Sequence, residues 1–244
     1  VERTTAASSP PSGIQSDDFC QGTLSAFWTF YDSNPTGGSY ALTGSQTSDA
    51  WLEISVPGNS EHQIFIGGIN AAHMLQPVNS GADFEVEVKF ESAVVAPQYQ
   101  MQGIVVKESP TKYLRFEFYS SGGSSPGQTN VYAQGFDSGS ASALFANNQI
   151  VTGNTAPLYM RVKKDGIQWT QSYSFDGNTW TTAATFNYTI SPAEIGPYAG
   201  NAGGNPAHTA QIDYFENLSD PIPQEDGCAS PPILDPIGDP FVEE

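Results

Sequence analysis

Residues 83–91 read Asp83-Phe84-Glu85-Val86-Glu87-Val88-Lys89-Phe90-Glu91, with apolar side chains at 84, 86, 88 and 90 and charged ones between them. Successive side chains of a strand point to opposite faces, so this stretch is a strand with one dry face and one charged face. The same alternation recurs outward. In Tyr113-Leu114-Arg115-Phe116-Glu117-Phe118-Tyr119 the dry face is 114, 116 and 118. Leu158 to Lys163 alternates and ends at Asp165-Gly166, a two-residue hairpin signal. Ile167 to Phe175 then returns, and a turn at Asp176-Gly177-Asn178 leads into Thr179 to Asn187. Further strands are predicted near 26–32, 39–44, 51–56, 62–66, 100–107, 130–136, 144–151 and 209–217. No segment has a helical period. Many short strands joined by Gly-rich turns predict an all-β fold, a two-sheet antiparallel β-sandwich.

The flanks differ in composition. Residues 1–15 are a Ser/Pro-rich linker and 218–244 an acidic, Pro-rich tail, which leaves 16–217 as the sandwich domain. The tail still carries Ile233, Leu234, Ile237 and Phe241, more apolar bulk than a free linker needs. It is expected to cover an apolar strip on this molecule or on a second copy, so self-association through the tail is an expectation. The 244 residues hold 8 Lys and Arg against 26 acids, a net charge of −18. Such a surface repels phosphate backbones and anionic lipid, which excludes sequence-independent nucleic-acid binding and membrane attachment by charge. No run approaches the roughly 18 apolar residues of a membrane span. Charged residues are 14%, against about 25% in ordinary domains. The surface is therefore mostly neutral and polar, which suits a secreted, extracellular protein working among neutral polymers. Val1-Glu2-Arg3-Thr4 is followed by no apolar leader, so the chain reads as mature or as a piece of something longer. Cys20 and Cys228 are its two cysteines. They are either two free thiols or, in the usual pattern of secreted chains, one disulfide.

Candidate site residues gather on two strands. If 100–106 buries Met101, Gly103 and Val105, its other face presents Gln100 and Gln102. The wet face of 113–119 presents Tyr113, Arg115, Glu117 and Tyr119. Side by side, these strands would offer planar donors and acceptors beside aromatic faces, the means by which sugars are held; a generic polar sheet face is the plainer reading. His62 and His73 could add hydrogen bonds to a sugar. With His208 they could in principle hold zinc or copper, although no pair has the spacing of a ready-made chelate. Trp169, Gln171, Tyr173 and Phe175 share a strand face that is either core, with Gln171 a buried amide in need of partners, or an exposed stacking platform. Three exposed aromatics would cost solubility, which favours core.

Six pieces occur in order: Ser16 to Phe19, Asp83 to Phe90, Gln100 to Val106, Tyr113 to Glu117, Ser172 to Trp180 and Ile212 to Phe215. Together they resemble the concanavalin A-like lectin/glucanase jelly-roll domain of secreted bacterial carbohydrate-active proteins. They are similar to the bacterial domain of unknown function related to the C-terminal sandwich of family 43 glycosidases (β-xylosidase type). The resemblance implies a jelly roll and a carbohydrate ligand. It also implies a structural calcium near the joined chain ends, for which Asp17 or Asp18 and Asp213 are the candidate ligands. Jelly-roll glucanases carry Glu-x-Asp-x-Glu or Glu-x-Asp-x-x-Glu on one strand. Here 87 is Glu, Lys89 stands where the shorter pattern needs its second Glu, and Glu91 falls one position too far for the longer one. Glu85 and Glu87, about 6.7 Å apart along the strand, are therefore read as a solvated polar face.

The expectation is a secreted, non-catalytic, lectin-like domain that binds a polysaccharide or other glycan. The alternatives are a glycoside hydrolase or polysaccharide lyase on the same scaffold, and a structural or adhesive subunit of an extracellular assembly.

Overall fold

The computed structural model describes residues 12–33, 37–47, 49–122, 126–150 and 155–223. Its strands in chain order are β1 (Thr29–Tyr31), β2 (Ser39–Thr43), β3 (Trp51–Val56), β4 (Ile64–Phe65), β5 (Gly68–Ile69), β6 (Ala72–Pro77), β7 (Phe84–Phe90) and β8 (Gln100–Ser109). They continue as β9 (Lys112–Ser120), β10 (Thr129–Asp137), β11 (Ser140–Gln149), β12 (Leu158–Asp165), β13 (Gln168–Ser174), β14 (Thr181–Asn187), β15 (Glu194–Asn201) and β16 (His208–Asn217). Two antiparallel seven-stranded sheets result, β1-β6-β15-β8-β9-β10-β11 and β14-β13-β12-β7-β16-β3-β2, with β4 and β5 as a separate hairpin. The two-sheet sandwich expected from the sequence is the observed fold. No helix among the described residues is long and apolar enough to cross a membrane.

The main core lies between the sheets. Phe84, Val86, Val88 and Phe90 of β7 are all buried there, as the alternation requires. They meet Leu114, Phe116 and Phe118 of β9, and aromatic edges interlock them: Phe84 with Trp169 at 5.8 Å, Phe90 with Phe118 at 6.3 Å. Trp169 and Gln171 are fully buried, so the core reading of that strand face holds, while Phe175 lies beyond the end of β13 and is exposed. Gln171 Nε2 donates to the Tyr132 carbonyl at 3.2 Å.

The N-terminal boundary lies earlier than expected. Ile14 is 1% exposed within the core, and Gln15 N donates to Gln76 Oε1 at 2.7 Å, so residues 12–15 belong to the sandwich. Cys20 is buried. Its expected partner Cys228 and the apolar tail segment 229–244 lie outside the described residues.

Besides the two-residue β5, the strands β6 and β15 were not foreseen. β6 and β15 are buried on both faces, so neither alternates. β15 also holds Gly196, Pro197 and Gly200, residues that argue against a central strand. The direct pairing of β15 with β6 is interrupted between Ile195 and Tyr198, where Pro197 sits.

Candidate functional site

The outer face of the first sheet carries a second core. In an antiparallel ladder, residues paired across strands share a face. Register therefore sets Tyr31, His73, Tyr198, Gly103, Glu117, Tyr132 and Asn147 in one row across seven strands. The adjacent row runs Gly196, Val105, Arg115, Gln134. The β4–β5 hairpin lies on this face and buries Ile64 and Ile69 against Leu75, Met101, Val105 and Tyr198. Its main chain is tied down by two side chains of β9: Tyr113 Oη donates to the Phe65 carbonyl at 2.7 Å, and Arg115 Nη1 donates to the Ile64 carbonyl.

Beside β4 opens a cavity of about 210 Å³ lined by Phe65, Tyr99, Arg115, Glu117, Tyr119 and Tyr132 among others. Its floor is an ion pair, Arg115 Nη2 to Glu117 Oε1 at 3.8 Å, with both side chains almost fully buried. Tyr198 lies across Gly103 and donates its hydroxyl to Glu117 Oε2. Glycine at 103 leaves that path open; an added Cβ would stand 2.0 Å from the Phe116 carbonyl oxygen. The Tyr132 ring faces the guanidinium at 4.6 Å, and Tyr119 is edge-on to both Tyr99 and Tyr132. Tyr119 Oη donates to Asn147 Oδ1 at 2.6 Å. Burial pushes the Glu117 carboxyl above the usual carboxylate range, against the pull of Arg115 and the Tyr198 hydroxyl. Burial, with the Glu117 charge adding to it, pushes the Tyr119 phenol up to about 12. Arg115 Nε is buried without a hydrogen-bond partner among the described residues.

The structure brings Arg115, Glu117 and Tyr119 together at one cavity, but Arg115 and Glu117 are buried rather than on a wet face. It corrects the rest of the patch. Gln102 pairs with Phe118 and so faces the inter-sheet core, where its Oε1 accepts from Ser92 Oγ at 2.6 Å and contacts His208 Nε2 at 3.1 Å. Gln100 clasps a loop instead: its Oε1 accepts from Val95 N and Ala96 N, and its Nε2 donates to the Ala207 carbonyl. Met101, Gly103 and Val105 are the residues of β8 that share the face of Arg115. Tyr113 lies on the right face but is fully buried beneath the hairpin. The tyrosines missed were Tyr99, which lies in a loop, and Tyr132. The Tyr132-x-Gln134-x-Phe136 alternation on β10 was the signal that could have found the latter.

The histidines part company. His62 is fully buried and pairs its backbone with Asn201 near the base of the hairpin. His73 pairs with Tyr198, three residues earlier on β15, roughly 10 Å away. Asp18 lines a hollow of about 630 Å³ at the chain ends, whereas Asp213 lies elsewhere, its carboxylate 2.5 Å from Lys89 Nζ. Among the described residues no group of three or more His, Cys, Asp or Glu is placed to hold a metal ion. Glu85 and Glu87 are on the outer face of the second sheet. Glu87 is more buried than expected, held by Arg161 Nε and the Tyr214 hydroxyl, each at 2.7 Å; Glu85 faces Lys163 at 4.0 Å.

No protein-family model matches the chain, and no curated protein sequence matches it significantly. Solved structures do. The chain is similar to the GH43 protein BlXynB from Bacillus licheniformis at 17% identity and a TM-score of 0.61, over 82% of this chain and 38% of that one. It is similar to a xylan β-1,4-xylosidase from Bacillus halodurans at 14% identity and a TM-score of 0.60, over 87% of this chain and 40% of that one. A functionally unknown protein from Saccharomyces cerevisiae matches at 16% identity and a TM-score of 0.53, over 78% of this chain and 93% of that one. The chain thus spans about two fifths of the length of the two bacterial proteins. What it shares with all three is the fold, the jelly-roll sandwich that the sequence pieces resemble.

Proposed function

We propose that this chain is a lectin-like domain that binds a polysaccharide without cleaving it, through the cavity floored by Arg115 and Glu117. One observation carries the reading. A buried guanidinium–carboxylate pair, with an unpartnered donor, stands among three tyrosine rings on the outer face of a sheet. Tyrosine rings combine a flat apolar face with a polar tip, and the fixed planar groups beside them select orientation. Glycoside hydrolysis commonly uses two carboxyl groups about 5–9.5 Å apart across the bond. Among the described residues that line the cavity Glu117 is the one carboxylate, which supports binding over cleavage. The fold shared with GH43 proteins is consistent with a carbohydrate ligand.

The domain is further proposed to work outside the cell with Cys20 bonded to Cys228. The neutral polar surface and the cysteine count support this.

A glycan array followed by titration calorimetry tests the reading. Tyr119→Ala and Tyr99→Ala should each weaken the retained glycan by tenfold or more while the protein stays folded at the assay temperature. Absence of retention across the array, or unchanged affinity in both variants, overturns the binding role. Sustained release of reducing ends from a polysaccharide panel overturns the non-catalytic one.

A further inference from the structure

The β4–β5 hairpin has a second cavity on its other side. It measures about 300 Å³ and is lined by Tyr31, Gly68, Asn70, His73, Lys107 and Pro110 among others. Phe65 at the end of β4 borders the first cavity; Gly68 and Ile69 of β5 border the second. Both cavities open on the same sheet face, because Tyr31, His73, Tyr198, Gly103 and Glu117 belong to one register row. His73 on β6 and Glu117 on β9 are three strand spacings apart, about 14 Å.

The second cavity is built like the first. The Tyr31 ring stacks on the His73 imidazole at 5.1 Å and 14°. Tyr31 Oη donates to Glu194 Oε1 at 2.8 Å, while Lys107 Nζ pairs with Glu194 Oε2 at 2.7 Å and stands 4.8 Å from the centre of the Tyr31 ring. Ala71 O accepts from His73 Nδ1 at 2.7 Å, which leaves Nε2 an acceptor on a ring that lines the cavity. An aromatic platform again stands beside a cation–carboxylate pair that cancels its own charge. Ligand pockets commonly measure roughly 300–1,000 Å³. At about 210 and 300 Å³ these two are at or below that lower bound, so each suits a part of a ligand rather than a whole one.

We propose that the Tyr31–His73–Lys107 cavity is a second subsite for the glycan held at Arg115 and Glu117. The ligand is an uncharged oligosaccharide chain that passes over the hairpin and occupies both cavities. This rests on the binding role proposed above. The ligand is uncharged because each cation in the two cavities already has its carboxylate, Arg115 with Glu117 and Lys107 with Glu194. The whole chain, at −18, also repels polyanions.

Calorimetry with neutral oligosaccharides of one to six units, prepared from xylan, β-glucan, mannan and arabinan, tests the inference. For the type that binds, affinity should rise with length and level off once a chain spans both cavities. Tyr31→Ala should remove at least tenfold from the longest chain and leave the shortest unchanged. Tyr119→Ala should weaken every length. Asn70→Trp changes an exposed rim residue, so it should fold, and it should block the second cavity with the same length signature. Polygalacturonate chains of matched length should bind at least tenfold more weakly than the neutral ones. Binding independent of length, or a full length dependence retained in Tyr31→Ala and Asn70→Trp, overturns the second subsite and leaves the first intact. Tighter binding of the anionic chain overturns the uncharged ligand. No binding of any chain by the unaltered protein removes both this inference and the reading it rests on.

Discussion

Tyr198 reaches Glu117 only because Gly103 lies between them without a side chain, and the bond it makes is wholly buried. Tyr198→Phe removes that donor and keeps the ring. It should cost about 1–3 kcal/mol, the usual penalty for a buried polar group left short of a partner, read as a lower urea midpoint at unchanged slope. Glu117→Ala should cost more, about 3–5 kcal/mol, because it strands a buried guanidinium. Two histidines set a pH response. Burial lowers His208 to about 4, and burial also lowers His73 to about 4, where the Ala71 carbonyl, Lys107, Glu194 and Asp32 are the other influences. Unfolded histidine titrates near 6.5. Between about 6.5 and 4 the unfolded chain therefore binds protons that the folded one refuses, and the stability held above about pH 6.5 declines as pH falls. The urea midpoint should be lower near pH 4.5 than at pH 7, with a shallower decline in His208→Gln.

The β4–β5 hairpin is the element that turns a sheet face into a site. Without it, Tyr113, Val105 and Phe136 would lie at the surface; with it they form a second core and leave a cavity on each side. Its hold on the sheet rests on Ile64, which is fully buried, and on the two carbonyls bound by Tyr113 and Arg115. Ile64→Ala should cost about 2–5 kcal/mol. Amide exchange should rise in residues 62–70 before the rest of the sandwich opens, and glycan affinity should fall with it. Gly103→Ala acts on the floor of the same site. Its methyl group would meet the main chain of β9, and overpacking of this kind costs about 1–3 kcal/mol or more. The sequence marked this site only in part. Arg115, Glu117 and Tyr119 were legible because β9 alternates. Gln102 was misplaced because β8, buried on both faces like β9, does not alternate: Gly103 to Val106 follow the two glutamines without a polar residue, so the run gives no sign of which residues point where.

Taken whole, the molecule is a sandwich with few charged residues, 14% of the chain, and a strongly negative net charge of −18. The proposed bond between Cys20 and Cys228 would close a loop of about 208 residues, worth up to about 5 kcal/mol in the ideal chain-entropy account. Alkylation without reductant should therefore leave both cysteines unmodified, and reductant should lower the melting temperature; alkylation of both removes the bond. Deleting residues 229–244 should raise dye binding or aggregation if the tail covers an apolar strip. An unchanged monomer with unchanged dye binding makes it a passive linker. Alternation along the chain is enough to reveal the strands that carry one apolar and one polar set of side chains. Phe84 to Phe90, Leu114 to Phe118 and Leu158 to Val162 record in their alternation a dry core on one side and polar side chains on the other, although Arg115 and Glu117 of β9 are themselves buried. The all-β sandwich follows from these strands. The places of β6 and β15, the burial of Tyr113 and the inward turn of Gln102 depend instead on tertiary packing. In each case a neighbouring sheet or the hairpin covers a surface that the strand's own residues do not announce. Hydropathy reports what one face of a strand can tolerate; what covers that face is set by segments distant in the chain.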